Sequence, residues 1–223
     1  MFERPGYSEW LDGSAFVDFH GMPVVLYHGT DTGSDFNIFA RTEESSIGFH
    51  FGDLAAAHSR IANMTHPDER GEWGAVIPVY CNARNPLRLT DHHTWKIENV
   101  CDELFDLGIV NEAQYNLIAD SYNEYSLFAA IEMAGYDCVI YSNETEHAGT
   151  PTDSVIVWRA ETVKGAYAGS FDRNDPGLVP AIEHDPDDFE CWESVKDEID
   201  RYKDELRALL TRRAEAAPAI PVF

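Results

Sequence analysis

The residues of this chain that could do chemistry fall in a few short stretches. His28-Gly29-Thr30 closes an apolar run that begins at Pro23. His50 stands between Phe49 and Phe51, and Arg41 and Arg60 lie on either side of that stretch. Glu144 and Glu146 sit in the polar loop 142–152, and Asp153 opens the apolar run that follows. An imidazole offers a donor and an acceptor to hydroxyls. A glycine lets a flat ligand approach backbone N–H and C=O groups that a side chain would shield. Carboxylates stabilise a developing cation, best in a dry site. Arginines and free helix N–H groups hold anions. Each stretch also has a plain structural reading. A histidine after a strand usually completes the core, and two glutamates in a polar loop of an acidic protein are usually solvated. His92-His93 beside Asp91 suggests a metal, but adjacent histidines rarely point at one ion and no third ligand is suitably spaced. Cys81, Cys101, Cys138 and Cys191 form no CxxC pair, which speaks against a zinc knuckle or a redox motif. No metal is expected.

The elements that must carry these residues can be read from apolar patterning. Pro23–His28, Ile47–Gly52, Ala75–Cys81, Cys138–Tyr141 and Asp153–Trp158 read as short strands. Pro78 suggests that the third is an edge strand or carries a bulge. Asp53 is a good N-cap for a helix starting at Leu54. Residues 92–134 have the spacing of two or three helices, broken at Gly135. Phe189, Trp192, Val195, Ile199, Tyr202, Leu206 and Leu209 recur every three or four residues, an amphipathic helix. The expected organisation is an N-terminal arm over 1–22, a catalytic domain over 23–180, and an acidic linker with a C-terminal helix over 181–223.

The net charge is −24, from sixteen basic and forty acidic side chains. Free nucleic acid is repelled at long range by that balance, since such affinity rests on neutralising phosphate, although a local basic groove stays compatible with it. A basic protein partner or a high-salt origin suits the balance better. No run of 18 apolar residues exists, so no transmembrane helix and no membrane partner are expected. Met1-Phe2-Glu3-Arg4-Pro5 lacks the apolar and basic regions of a signal peptide, which predicts a cytoplasmic chain, or one delivered into a host cell.

In order, Tyr27-His28-Gly29-Thr30, Gly48-Phe49-His50-Phe51-Gly52-Asp53, Asn85-Pro86-Leu87, Gly135-Tyr136-Asp137-Cys138-Val139-Ile140, Asn143-Glu144-Thr145-Glu146 and the run from Asp153 to Lys164 resemble the ADP-ribosyltransferase superfamily. The branch most resembled is the one found in polyvalent proteins of phages and mobile elements, with a more distant similarity to the catalytic half of poly(ADP-ribose) polymerases. The resemblance spans roughly residues 23–176. It implies NAD as substrate. It implies that His28 holds the adenosine ribose, that the Gly29 backbone holds the nicotinamide amide, and that Tyr27 and Thr30 flank them. It implies that Phe49–Phe51 floors the nicotinamide pocket, although His50 stands where the family often has tyrosine. Arg41, Arg60 and the Asp53-capped helix are the candidates for the pyrophosphate. The family's acid lies either at the start of the late strand, where polymerases keep it and this chain has Ser154 beside Asp153, or in an ExE loop just before it. Glu146 is the preferred acid, with Glu144 as helper and Asp153 as the alternative.

The resemblance implies an α+β fold of two small antiparallel sheets packed as a split sandwich with flanking helices. It implies an NAD-dependent mono-ADP-ribosyltransferase: a toxin, effector or phage-encoded modifier that acts on a protein or nucleic-acid acceptor. Two alternatives stand beside it. One is an NAD glycohydrolase on the same fold. The other is an inactive acidic module that binds a partner in the manner of a nucleic-acid mimic. The C-terminal helix either packs on the domain or serves a neutralising or dimer partner.

Overall fold

A computed structural model describes residues 4–30, 36–39, 47–64, 74–146, 150–180 and 186–216. In chain order these form α1 (Tyr7–Leu11), β1 (Leu26–Thr30), β2 (Phe49–Phe51), α2 (Leu54–Met64), β3 (Ala75–Cys81), β4 (Pro86–Arg88), α3 (Ile97–Asp106), α4 (Glu112–Ser121), α5 (Glu124–Met133), β5 (Cys138–Asn143) and β6 (Thr152–Val157). A 3₁₀ turn (Ala160–Thr162), β7 (Val163–Gly165) and α6 (Pro186–Ala216) complete the order. The class is α+β. A three-stranded sheet runs β1-β3-β7 and a four-stranded sheet runs β2-β6-β5-β4. The first is antiparallel throughout. The second is mixed rather than antiparallel, because β4 pairs with β5 in the parallel sense.

Pro78 lies in the central strand of the first sheet, not at an edge. Its carbonyl accepts from the Ala166 N–H at 2.9 Å, just past the end of β7. The donor that proline lacks would have pointed toward β7 where that strand has already ended. The ladder therefore loses little.

Two apolar clusters lie on opposite faces of the four-stranded sheet. Residues alternate between faces along a strand. Val139, Tyr141 and Ile156 meet α3, α4, α5 and α6 on one side. Phe51, Val155 and Val157 meet Leu26, Val79 and Val163 of the other sheet on the opposite side. The C-terminal helix enters both: Val195, Ile199, Tyr202 and Leu206 pack in the first cluster and Trp192 in the second. Between the helices and the sheet, Phe128 stacks on Trp158 with ring centroids 4.8 Å apart.

A buried carboxylate ties these layers together. Glu132 of α5 accepts from Trp158 Nε1 at 2.8 Å and from Arg159 Nε and Nη2 at 2.7 and 2.8 Å, and it pairs with Lys203 of α6. Burial pushes its pKa up, but Arg159, Lys203 and Trp158 outweigh burial and hold it below the ordinary glutamate value. Removing one partner of a buried pair leaves the others uncompensated. Glu132→Ala should therefore cost about 3–5 kcal/mol at neutral pH. The folded-state pKa is depressed, so the contribution is complete above the unfolded value of about 4.3 and fades as pH falls through the folded one. Urea midpoints of wild type and variant, well separated at neutral pH, should converge on acidification.

Candidate functional site

β1 delivers the first group. Leu26, His28 and Thr30 share one face, toward the second sheet, and Tyr27 and Gly29 share the other, toward α2. On the first face the His28 ring sits 5.0 Å from Phe39 and 5.5 Å from Phe51, while Phe49 packs on Phe39 at 5.3 Å. An aromatic wall thus forms around His28, and Phe39 is its hub. Nothing in the sequence but the Phe36-x-x-Phe39 spacing hinted at that role. His28 Nδ1 lies 2.8 Å from the His50 carbonyl. A carbonyl can only accept, so Nδ1 carries the proton and Nε2 keeps its lone pair. Burial, helped by the Arg60 charge, pushes the His28 pKa down and keeps the ring neutral.

Gly29 is required for packing. A Cβ there would overlap the Ala57 carbonyl oxygen of α2. Tyr27 exchanges backbone bonds with Gly52 at 2.9 and 3.0 Å, on the side of β1 away from β3. Backbone groups two residues apart in a strand point the same way, so the Gly29 N–H and C=O turn to that same edge. Asp53 caps α2: its Oδ1 accepts from the Ala56 N–H at 2.8 Å, and its Oδ2 from Thr152 Oγ1 at 2.9 Å.

His50 lies on the other face of β2 from Phe49 and Phe51, toward the helical layer. Nε2 donates to the Ile47 carbonyl at 3.1 Å, which leaves Nδ1 to accept from the Tyr141 hydroxyl at 3.1 Å. Burial and then the Arg60 charge lower its pKa to about 3. Its ring is not on the face of His28's aromatic wall.

The second group comes from the end of β5. Asn143 is 1% exposed and Ser154, on β6, is 2% exposed. The Asn143 amide donates to Ser154 Oγ at 3.0 Å and to Glu146 Oε2 at 3.1 Å, and its oxygen accepts from the Glu146 N–H at 2.9 Å. Ser154 lies beside the Tyr141 hydroxyl. The carboxylate of Glu146, 19% exposed, faces Arg60 of α2, with Oε1 3.7 Å from the guanidinium. Glu144 is exposed. His28, His50, Arg60 and Glu146 are thereby drawn into one neighbourhood, through residues that carry no sequence motif.

Asp153 is placed differently. One residue from Ser154, it falls on the opposite face of β6. Arg88 of β4 grips both its oxygens, at 3.0 and 2.6 Å, and the Arg88 hydrogen bonds hold its pKa below the ordinary aspartate value. Arg41 lies outside the described residues. Among the described residues no three His, Cys, Asp or Glu side chains converge as a metal site, and no helix is long and apolar enough to cross a membrane.

The arrangement defines an α+β domain with a neutral histidine on one sheet and a clamped carboxylate on the other. The chain belongs to the ADP-ribosyltransferase domains of polyvalent proteins, whose family profile matches residues 18–172. The reaction of that family is transfer of ADP-ribose, with NAD as its substrate. No curated protein and no solved structure gives a significant match to the chain.

Replacing Gly29 by alanine forces α2 away from β1. Overpacking of this kind costs about 1–3 kcal/mol. Because the clash is with backbone, the expected loss is at the upper end, read as a lowered denaturant midpoint with an unchanged slope.

Proposed function

We propose that the chain is an NAD-dependent mono-ADP-ribosyltransferase, a toxin, effector or phage-encoded modifier of a host macromolecule, with Glu146 as its acid. One observation supports this most: Asn143 joins the Glu146 carboxylate to Ser154, the position where the related polymerases keep their acid. A carboxylate from the preceding loop thus reaches the same region of space as one on the strand. Asp153 is a poorer choice, since Arg88 already neutralises it and it is 53% exposed.

In this reading the His28 Nε2 lone pair accepts from an adenosine ribose hydroxyl. The Gly29 N–H and C=O meet the nicotinamide amide, with Tyr27 and Thr30 on either side. Phe49 and Phe51, joined by Phe39, wall the nicotinamide pocket. Arg60 and Arg41 neutralise pyrophosphate. Glu146 hydrogen-bonds the other ribose at its 2′-hydroxyl and faces the positive charge that grows at C1′ as nicotinamide leaves. Nicotinamide departs neutral, so no general acid is needed. A carboxylate opposite an oxocarbenium-like centre is the device glycosidases use. Glu144, exposed beside it, is free to orient the acceptor's nucleophile.

His28→Ala removes one ribose hydrogen bond and should weaken NAD binding by about 1–2 kcal/mol, measured by calorimetry. Unchanged affinity would remove His28 from the site.

Glu146→Gln keeps the shape and a bond to Asn143 but loses the charge. Single-turnover nicotinamide release at saturating NAD should fall by about 10²–10³, with NAD affinity within a fewfold of wild type. Asp153→Asn should stay near wild type, and the reverse pattern would move the acid to Asp153. Label from biotinylated NAD found on a macromolecule supports transfer, whereas free ADP-ribose alone would make the chain a glycohydrolase. If wild type releases no nicotinamide with any acceptor pool, the binding-module reading takes over.

A further inference from the structure

The loop that carries Glu146 is held from a second side. β4 and β5 run parallel, so their C-terminal ends lie together and the loops that follow them emerge side by side. The first of these loops presents Asp91, whose side chain is only 5% exposed although it belongs to a surface loop. Its Oδ2 accepts from the Glu144 N–H at 2.8 Å and from Thr145 Oγ1 at 3.2 Å, while Oδ1 accepts from the His93 N–H at 2.9 Å. Burial alone pushes the Asp91 pKa up. Its bonds to His93, Glu144 and Thr145 outweigh that and bring it below the ordinary value, so the carboxylate is charged at neutral pH. His93, in the left-handed region at φ 56°, turns its ring back so that Nδ1 meets Thr145 Oγ1.

The Asp91 loop is itself fixed. Glu103 of α3 accepts from both the N–H and the hydroxyl of Thr90, at 2.9 and 2.8 Å, and meets His92 Nε2 at 2.8 Å. A chain of contacts thus runs from a packed helix through Glu103, the 90–93 turn and Asp91 to the Glu144 backbone and the Thr145 hydroxyl. Asn143 holds Glu146 from the strand side, and Asp91 holds the two residues between them.

We propose that Asp91 is a positioning residue for the reaction, its carboxylate fixing the Glu144 backbone and the Thr145 hydroxyl so that Glu146 is presented in its reactive geometry. This rests on Glu146 being the acid. Asp91 acts on the reacting atoms only through that loop. It has no part in the contacts assigned to His28, Gly29 or the NAD-facing aromatic wall.

Asp91→Ala in the full chain tests this. Misplacement of a catalytic group by about an ångström costs on the order of 10²-fold. Single-turnover nicotinamide release from saturating NAD should therefore fall about 10–100-fold, with NAD affinity within about twofold of wild type. Thr145→Val removes one of the two clamped donors and leaves the loop's backbone intact, so it should give a smaller fall of the same kind even if Asp91→Ala folds poorly. A purely structural role would lower rate, affinity and thermal midpoint together. The decisive comparison is the double variant: Asp91→Ala with Glu146→Gln should be no slower than Glu146→Gln alone, because the clamp matters only through that carboxylate. Independent, multiplying losses overturn the inference. So does a slow Glu146→Gln beside Asp91→Ala and Thr145→Val enzymes at wild-type rate. A fully active Glu146→Gln instead overturns the assignment of the acid on which the inference rests.

Discussion

The register of β2, β6 and β5 is the constraint on which the site depends. His50 opposes Ile156, Tyr141 opposes Ser154 and Asn143 opposes Thr152. This puts His50, Tyr141, Ser154 and Asn143 on one face, in a polar file. The file starts at the Ile47 carbonyl, passes through His50, Tyr141, Ser154 and Asn143, and ends on Glu146. At its other side the His50 carbonyl accepts a hydrogen bond from His28 Nδ1, so the two sheets are joined by the same residue. A slip of one residue would send every member to the opposite face. Tyr141, Ser154 and Asn143 are buried, and His50 and Glu146 are partly so, and a satisfied polar network of this kind specifies one arrangement.

The mixed character of the larger sheet has its own effect. Antiparallel strands in sequence leave their connecting loops at opposite ends, whereas a parallel pair collects two loops at one end. Pro86–Arg88 is only three residues long, yet its direction brings the 89–96 segment beside the loop that leaves β5. On the face that carries the file, α5 and α6 close the apolar cluster of Val139, Tyr141 and Ile156, and Glu132 links both helices to the end of β6.

Much of this could be read in the chain. The apolar runs around Tyr27, Phe51, Val79, Val139 and Ile156 marked β1, β2, β3, β5 and β6, and Asp53 marked the start of α2. The strands β4 and β7 escaped because each is three residues long and, unlike the equally short β2, carries no aromatic pair between glycines to mark it. Pro78 misled because a proline reports only that one donor is missing, not which neighbour has ended there. In the candidate site, the sequence pointed to His28 and Glu146, which the fold draws into one neighbourhood through Arg60. The contacts of Asn143, Ser154, Tyr141 and Asp91 were not legible, because such residues are common and their partners are set by cross-strand register and by which loops the sheet brings together. The two acid candidates show the same limit. Glu146 and Asp153 look alike in sequence, but a period of two sends Asp153 to Arg88, and a side-chain amide brings Glu146 to Ser154.

The grip of Asp91 on residue 144 is through the backbone N–H, a group that every amino acid except proline supplies. The side chain of Glu144 is exposed, and among the described residues it makes no hydrogen bond or ion pair that would hold its own loop. Substitution at that position can accordingly alter what the protein surface offers to an incoming molecule while the neighbouring carboxylate stays where it is. The outer surface of this loop and its inner scaffold are thus separable: the rim can change residue by residue while the interior from Asp91 to Glu146 keeps its form.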